Sequence, residues 1–225
     1  GSLRNNTTSN NVAVGFNALY TNTTGYGGTA VGHNALVSNI WGGYNTAVGF
    51  QALYYNTTAS RNTAVGAYSQ HNNTFGYANV SVGNDTLINN TTGSYNTAIG
   101  SRSLQSNTVG INNTAVGFKS LYINTTGINN TSVGYQALYY NTIGTNNSAF
   151  GLESLLSNTT GSNNTAMGRG SLQNNTIGVD NTAVGRVCLY SNTTGTYNSA
   201  FGSYTMFSNT IGQNNTAVGT SALQS

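Results

Sequence analysis

Few residues in this 225-residue chain could do chemistry. Outside hydroxyls, amides and six basic side chains, they are His33, His71, Asp85, Glu153, Asp180 and Cys188. General acid–base work needs a titratable group held against the proton it moves. The two histidines lie 38 residues apart, and neither has a carboxylate at a repeated offset. Two carboxylates flanking one bond must lie within roughly 10 Å, and the three acids here are scattered along the chain. A single cysteine can form no internal disulfide. Calcium-binding solenoids repeat an aspartate at a fixed position, and no such column exists. No G-x-x-x-x-G-K-[S/T] phosphate loop occurs among the many glycines. The expectation is no catalytic residue, no metal, no cofactor and no enzymatic activity.

Composition points the same way. Charged residues make up 4% of the chain, against roughly 25% in a typical soluble domain. Proline is absent, yet 15 Tyr and 7 Phe are present, which is unlike a disordered chain with few aromatics and high net charge. The net charge of +3 is dispersed, so neither a nucleic acid nor an anionic membrane is an expected partner. Apolar runs are too short for membrane insertion.

Order comes from a repeat. An Ala/Ser-x-Gly motif places glycines at 15, 32, 49, 66, 83, 100, 117, 134, 151, 168, 185, 202 and 219, every spacing being 17. With that glycine as position five, the consensus is N-T-A-V-G-x-x-A-L-x-x-N-T-x-G-x-x. Residues 1–10 read as an expression scar (Gly1-Ser2) plus a partial repeat, and residues 11–225 as a single array of 13 repeats, the last incomplete. Both ends cut through the repeat, so a fragment of a longer array is expected.

So strict a period predicts an all-β, parallel β-solenoid (a β-roll) of 17-residue coils, because one inserted residue would break the ladder between coils. N-T-A-V-G alternates as a strand does, with Thr and Val on one face and Asn, Ala and Gly on the other. The Val column at position four and the Leu column at position nine are expected inside, including Val48, Leu53, Val116 and Leu121. Position three is always Ala or Ser, which suggests close approach of a second chain on the opposite face. The Asn column at position twelve suits a left-handed turn and an amide ladder, and the glycine at position fifteen a second corner. Two alternatives stay open. Positions five, eight, nine and twelve also have helical spacing. Position fourteen alternates Thr with a large apolar residue, so the unit could be 34 residues.

Every Tyr, both His and all nine charged residues fall at positions six, seven, ten, eleven, sixteen or seventeen, which marks these as outward. Tyr20, Tyr54, Tyr122, Tyr139 and Tyr190, all at position ten, are the candidate surface-binding residues. They could stack on sugars or pack on one another. Cys188 sits in a column of small residues and reads as a buried alanine substitute. The N-x-[S/T] sequences, as at Asn56 and Asn124, follow from the repeat itself.

The N-T-A-V-G-x-x-A-L unit resembles the head repeats of trimeric autotransporter adhesins. It is still more similar to the N-T-A-x-G-Y-x-A-L-x-x-N-T-T-G arrays of phage and large-virus tail-fibre proteins, with residues 135–142 (Tyr-Gln-Ala-Leu-Tyr-Tyr-Asn-Thr) as an example. The resemblance covers residues 11–225 and departs in its longer period. It implies a left-handed, homotrimeric fibre segment, extracellular on a cell surface or virion, that mediates attachment through a cell-surface glycan or protein receptor. An ice-binding solenoid is the alternative, resting on low charge and on the Thr column at position thirteen, Thr23 to Thr210 with Ile40 its only break.

Overall fold

The computed structural model describes residues 1–224. The chain is all-β and folds as a parallel β-solenoid with 17 residues per coil. Its strands are β1 (Val12–Val14), β2 (Thr29–Val31), β3 (Thr46–Val48), β4 (Thr63–Val65), β5 (Val80–Val82), β6 (Thr97–Ile99), β7 (Thr114–Val116), β8 (Thr131–Val133), β9 (Ser148–Phe150), β10 (Thr165–Met167), β11 (Thr182–Val184), β12 (Ser199–Phe201) and β13 (Thr216–Val218). Two compact units divide the chain, Gly1–Asn112 with β1–β6 and a second beginning at Asn113 with β7–β13. Within each unit every strand pairs in parallel with the next, residue against its equivalent 17 further on, as Thr46, Ala47 and Val48 do with Thr63, Ala64 and Val65. That register answers the 34-residue alternative: one coil is one repeat.

Strand alternation holds, but the inside is the opposite face from the one expected. The alanines of position three are buried, Ala47, Ala64, Ala149 and Ala183 completely. The Val column faces outward. Val48 and Val116 are half-buried, while Ile99, Phe150 and Phe201 at the same position are exposed. The reason is room. The chain returning across each coil brings position eight within reach of the strand, as where Ser120 Oγ donates to the Ser132 carbonyl at 3.0 Å and Cys188 Sγ to the Ala200 carbonyl at 3.3 Å. Only Ala or Ser fits between. The small column is thus explained within one chain, not by a second one.

The Leu column is inside, as expected: Leu53 and Leu121 are fully buried. Two successive turns place it. The position-eight N–H returns to the position-five carbonyl (Ala52 to Gly49, 3.4 Å), and the position-twelve N–H to the position-nine carbonyl (Asn56 to Leu53, 3.2 Å). These turns replace the helical alternative, and no helix occurs among the described residues. Left-handed geometry falls at positions five, seven, nine and seventeen, not at Asn of position twelve. Leu53 and Leu121 both have φ of 51°, a conformation that costs an L-residue about 1–2 kcal/mol. Burying the leucine side chain is worth about 1.5–3 kcal/mol, so burial wins over local preference. At position seventeen no such burial is gained, and Asn, Asp or Gly fills many of the coils there (Asn129, Asn146, Asn163, Asp180). The glycine column at position five is obligatory on two counts. Gly134 has φ of 141°, and a Cβ on it would stand 2.4 Å from the Gly151 carbonyl oxygen of the next coil.

Beside the apolar column runs an amide column. Asn90 donates through Nδ2 to Asn73 Oδ1 (2.8 Å) and to the Gly93 carbonyl (2.8 Å), and accepts from Asn107 Nδ2 (2.9 Å). Asn79, at position one, also donates to the Gly93 carbonyl (2.9 Å), and its own Oδ1 accepts the Asn96 backbone N–H (2.9 Å). Both lone pairs of that carbonyl are thereby used. The chain bends just before position fifteen, and crowding keeps that position glycine although its φ is not left-handed: a Cβ on Gly93 would lie 2.4 Å from Asn90 Oδ1. Where Ala59 intrudes, the bond from Asn73 to Asn56 Oδ1 stretches to 3.2 Å. The partial coil is one residue short: Asn22 Nδ2 reaches Asn6 Oδ1, 16 residues back, where later ladder bonds span 17.

Candidate functional site

Position ten lies within the second of the two turns, facing outward, and all five candidate tyrosines are half-buried there. They pack on their own column. Tyr122 stacks on Tyr139 (ring centroids 5.0 Å), Tyr54 on His71 (5.1 Å) and Tyr190 on Phe207 (5.2 Å). Tyr20 Oη accepts from Arg4 Nη1 at 2.8 Å. Partial burial raises the phenol pKa of Tyr139, with smaller contributions from Tyr122 and Tyr140. Lys119 Nζ sits 5.3 Å from the Tyr122 ring and 5.9 Å from Tyr139. Tyr122 and Tyr139 therefore belong to one cluster, whereas Tyr20, Tyr54 and Tyr190 sit on separate rungs. Four of the five tyrosines thus each give a ring face to a neighbour in the column, and Tyr20 is held by Arg4.

The histidines are absorbed the same way. His33 is sandwiched between Phe16 and Phe50 (5.4 and 5.3 Å), and His71 Nε2 meets Gln51 Oε1 at 3.2 Å. Cys188 is buried, and desolvation pushes its thiol up to about 11. Asp85 is held by Arg102 at 3.6 Å. Among the described residues no three His, Cys, Asp or Glu side chains come together as a metal-holding group, and no helix is long and apolar enough to cross a membrane.

The sites that do form lie in surface recesses. One, of about 300 Å³, brings Tyr190 and Phe207 beside Arg169, Arg186, Glu153 and Gln173; Gly170, lacking a side chain, sits among them. Another, of about 360 Å³, is lined by Trp41, Phe75, Tyr26, Tyr44 and Tyr77 around Thr58, Ser60 and Arg61. Its aromatic residues are exposed, Trp41 by 66% and Phe75 by 60%. Sequence reasoning missed this second recess, because its walls come from positions fourteen, sixteen and seventeen of different coils. A signal was present: Trp41 is the lone tryptophan, Ile40 the one break in the Thr column and Ala59 the one break in the position-fifteen glycines, all within one coil and its neighbour. The Thr column itself is half-buried, with hydroxyls turned to the next coil, as where Thr74 Oγ1 donates to the Thr91 carbonyl (3.0 Å) and Thr142 to Thr159 (3.0 Å).

No protein-family model matches this chain, and no curated protein or solved structure is similar to it.

Proposed function

We propose that this chain is a structural and adhesive segment of a surface or tail fibre, outside the cell or on a virion, that presents side chains for attachment to a receptor. The observation that carries this reading is the division of labour within each coil. The repeated residues (Ala, Leu, Asn, Gly) are consumed in holding coil to coil, and the variable positions are left on the outside, where large aromatic side chains are exposed. A scaffold of this kind holds exposed groups at about 4.8 Å intervals. It needs no catalytic group, and the proposal includes the absence of enzymatic activity. His33 and His71 serve in ring stacks, and Cys188 is buried with a raised pKa.

The homotrimer implied by the resemblance is part of the same proposal. If it forms, it packs through the outward Val, Ile, Phe and Met column of position four, because the Ala column is already filled from within. The test of attachment is retention of the labelled chain on intact cells and on immobilised surface glycans and proteins. Saturable retention is expected. Retention no greater than that of an unrelated solenoid on every surface would end the adhesive reading.

A second reading, an ice-binding solenoid, keeps one observation in its favour. The outer face of the sheet carries parallel ranks of Thr at position two and Val at position four, as in Thr46 and Val48 above Thr63 and Val65. The position-thirteen hydroxyls count against that column as the ice face, since they bond within the stack. Thermal hysteresis separates the two readings: a measurable gap that a bulky replacement of Thr114 and Thr131 abolishes would favour ice.

A further inference from the structure

We propose that the recess between Trp41 and Phe75 binds an acidic sugar, a six-membered saturated ring bearing a carboxylate. The inference rests on the adhesive reading and names its ligand class.

The argument begins with the alternation at position fourteen. Trp41, Thr58 and Phe75 occupy successive coils, so two large rings flank one small side chain. Coils rise by about 4.8 Å, which puts the two ring-bearing backbones about 9.6 Å apart. A flat guest touching a ring on each side at about 3.5–4.0 Å would need about 7–8 Å. The remaining ~2 Å suits a puckered ring better than a flat aromatic one. Further along the chain the same column carries Val109, Ile143, Ile177 and Ile211, so the gap is walled by aromatic rings only here. Neither Trp41 nor Phe75 is engaged in the ring-on-ring packing that holds Tyr54, Tyr122, Tyr139 and Tyr190, and both are well exposed. Their faces can take the C–H bonds of a sugar, as partly apolar ring surfaces flanked by polar groups do in small-molecule sites.

The rung between the two rings supplies the polar groups. Ser60 Oγ accepts the Gly43 N–H at 3.1 Å, which leaves its own proton to donate. Gly43 stands between Tyr26 and Ser60 in the position-sixteen column and lines the recess, and a Cβ there would lie 3.3 Å from Tyr26 Cε1. Arg61 lines the same recess. Its backbone is pinned by the Gly43 carbonyl at 3.0 Å, and it forms no ion pair among the described residues. No carboxylate lines the recess. A planar guanidinium without an acidic neighbour matches a carboxylate in two parallel hydrogen bonds, which selects an acidic sugar over a neutral one.

Trp41 is the chain's one tryptophan, so its fluorescence reads the recess directly. The chain is titrated with oligosaccharides containing glucuronic, galacturonic or N-acetylneuraminic acid, and with the uncharged methyl ester of each. A saturable change with at least one acid, weakened about tenfold (~1.4 kcal/mol) in its ester, is expected. The variant Thr58→Phe closes the gap with a residue the column already carries at Phe75, so it keeps the fold and should abolish the change. Arg61→Gln should remove the difference between acid and ester. No saturable change with any acid, equal binding of acid and ester, or a Thr58→Phe protein that binds normally would each overturn the proposal. If Thr58→Phe still adheres to cells as the parent does, adhesion survives and only this site falls.

Discussion

Val187 shows most sharply how a residue's local preference and its place in the coil can disagree. It occupies position seven with φ of 47°, where a β-branched side chain is an outlier. Gly170 fills the same position one coil earlier at φ of 62°. Unlike the buried leucines, Val187 gains no full burial to offset the strain. Val187→Asn should therefore raise stability by about 1 kcal/mol, seen as a higher urea midpoint; an unchanged or lower midpoint would show that its packing outweighs its backbone. Cys188 yields a second prediction at this scale. Its folded pKa is raised from 9.0 to about 11 by burial, so the folded state holds the proton longer than the unfolded one. Its contribution is fully present below pH 9 and is lost as pH rises from 9 toward about 11. The stability difference between the parent and Cys188→Ala should shift against the parent over that window, and a thiol reagent at pH 8 should label Cys188 only after unfolding.

The coil is the next unit of scale, and its two inner columns answer to different energies. Asn158 donates to Asn141 Oδ1 (2.8 Å) and to the Gly161 carbonyl (2.9 Å), and accepts from Asn175 Nδ2 (2.9 Å). Asn158→Ala removes all three bonds and orphans buried groups on two neighbouring coils, each costing about 1–3 kcal/mol. A loss of about 3 kcal/mol is expected by denaturant unfolding; a loss below about 1 kcal/mol would mean water enters and replaces the ladder. The apolar column responds to volume instead. Ala183 is fully buried between its strand and the returning chain, so Ala183→Leu should overpack the coil by about 1–3 kcal/mol. Its melting temperature should fall with no change in the mass of the folded species. A changed mass at unchanged stability would restore the idea that the small column faces another chain.

At the level of the whole molecule, stacked repeats contact only their neighbours, and stability accumulates one interface at a time. What the chain assembles with depends instead on its outward columns. For the proposed homotrimer, light scattering should return three chains of 23.4 kDa each. The double change Val116→Lys and Val133→Lys, on adjacent half-buried sites of position four, should split it into folded single chains. A single-chain mass for the unmodified protein would defeat the trimer.

The 17-residue coil was legible in the sequence because a parallel ladder tolerates no insertion: glycines at constant spacing leave one stacking register. The Leu column inside and the Asn ladder were legible for the same reason, since a side chain repeated without change has the same neighbours on every rung. Which strand face is interior was not. Alternation separates Ala from Thr and Val but is unchanged when the faces are exchanged, and only the path of the returning chain, which brings position eight against position three, decides that Ala fits and Val does not. Left-handed geometry was misplaced onto Asn at position twelve because propensity is local, whereas the burial that holds Leu53 and Leu121 at φ of 51° comes from packing between coils. The recess at Trp41 and Phe75 was hidden for a related reason. Trp41, Thr58 and Phe75 stand 17 or 34 apart in the chain and become neighbours only when coils stack.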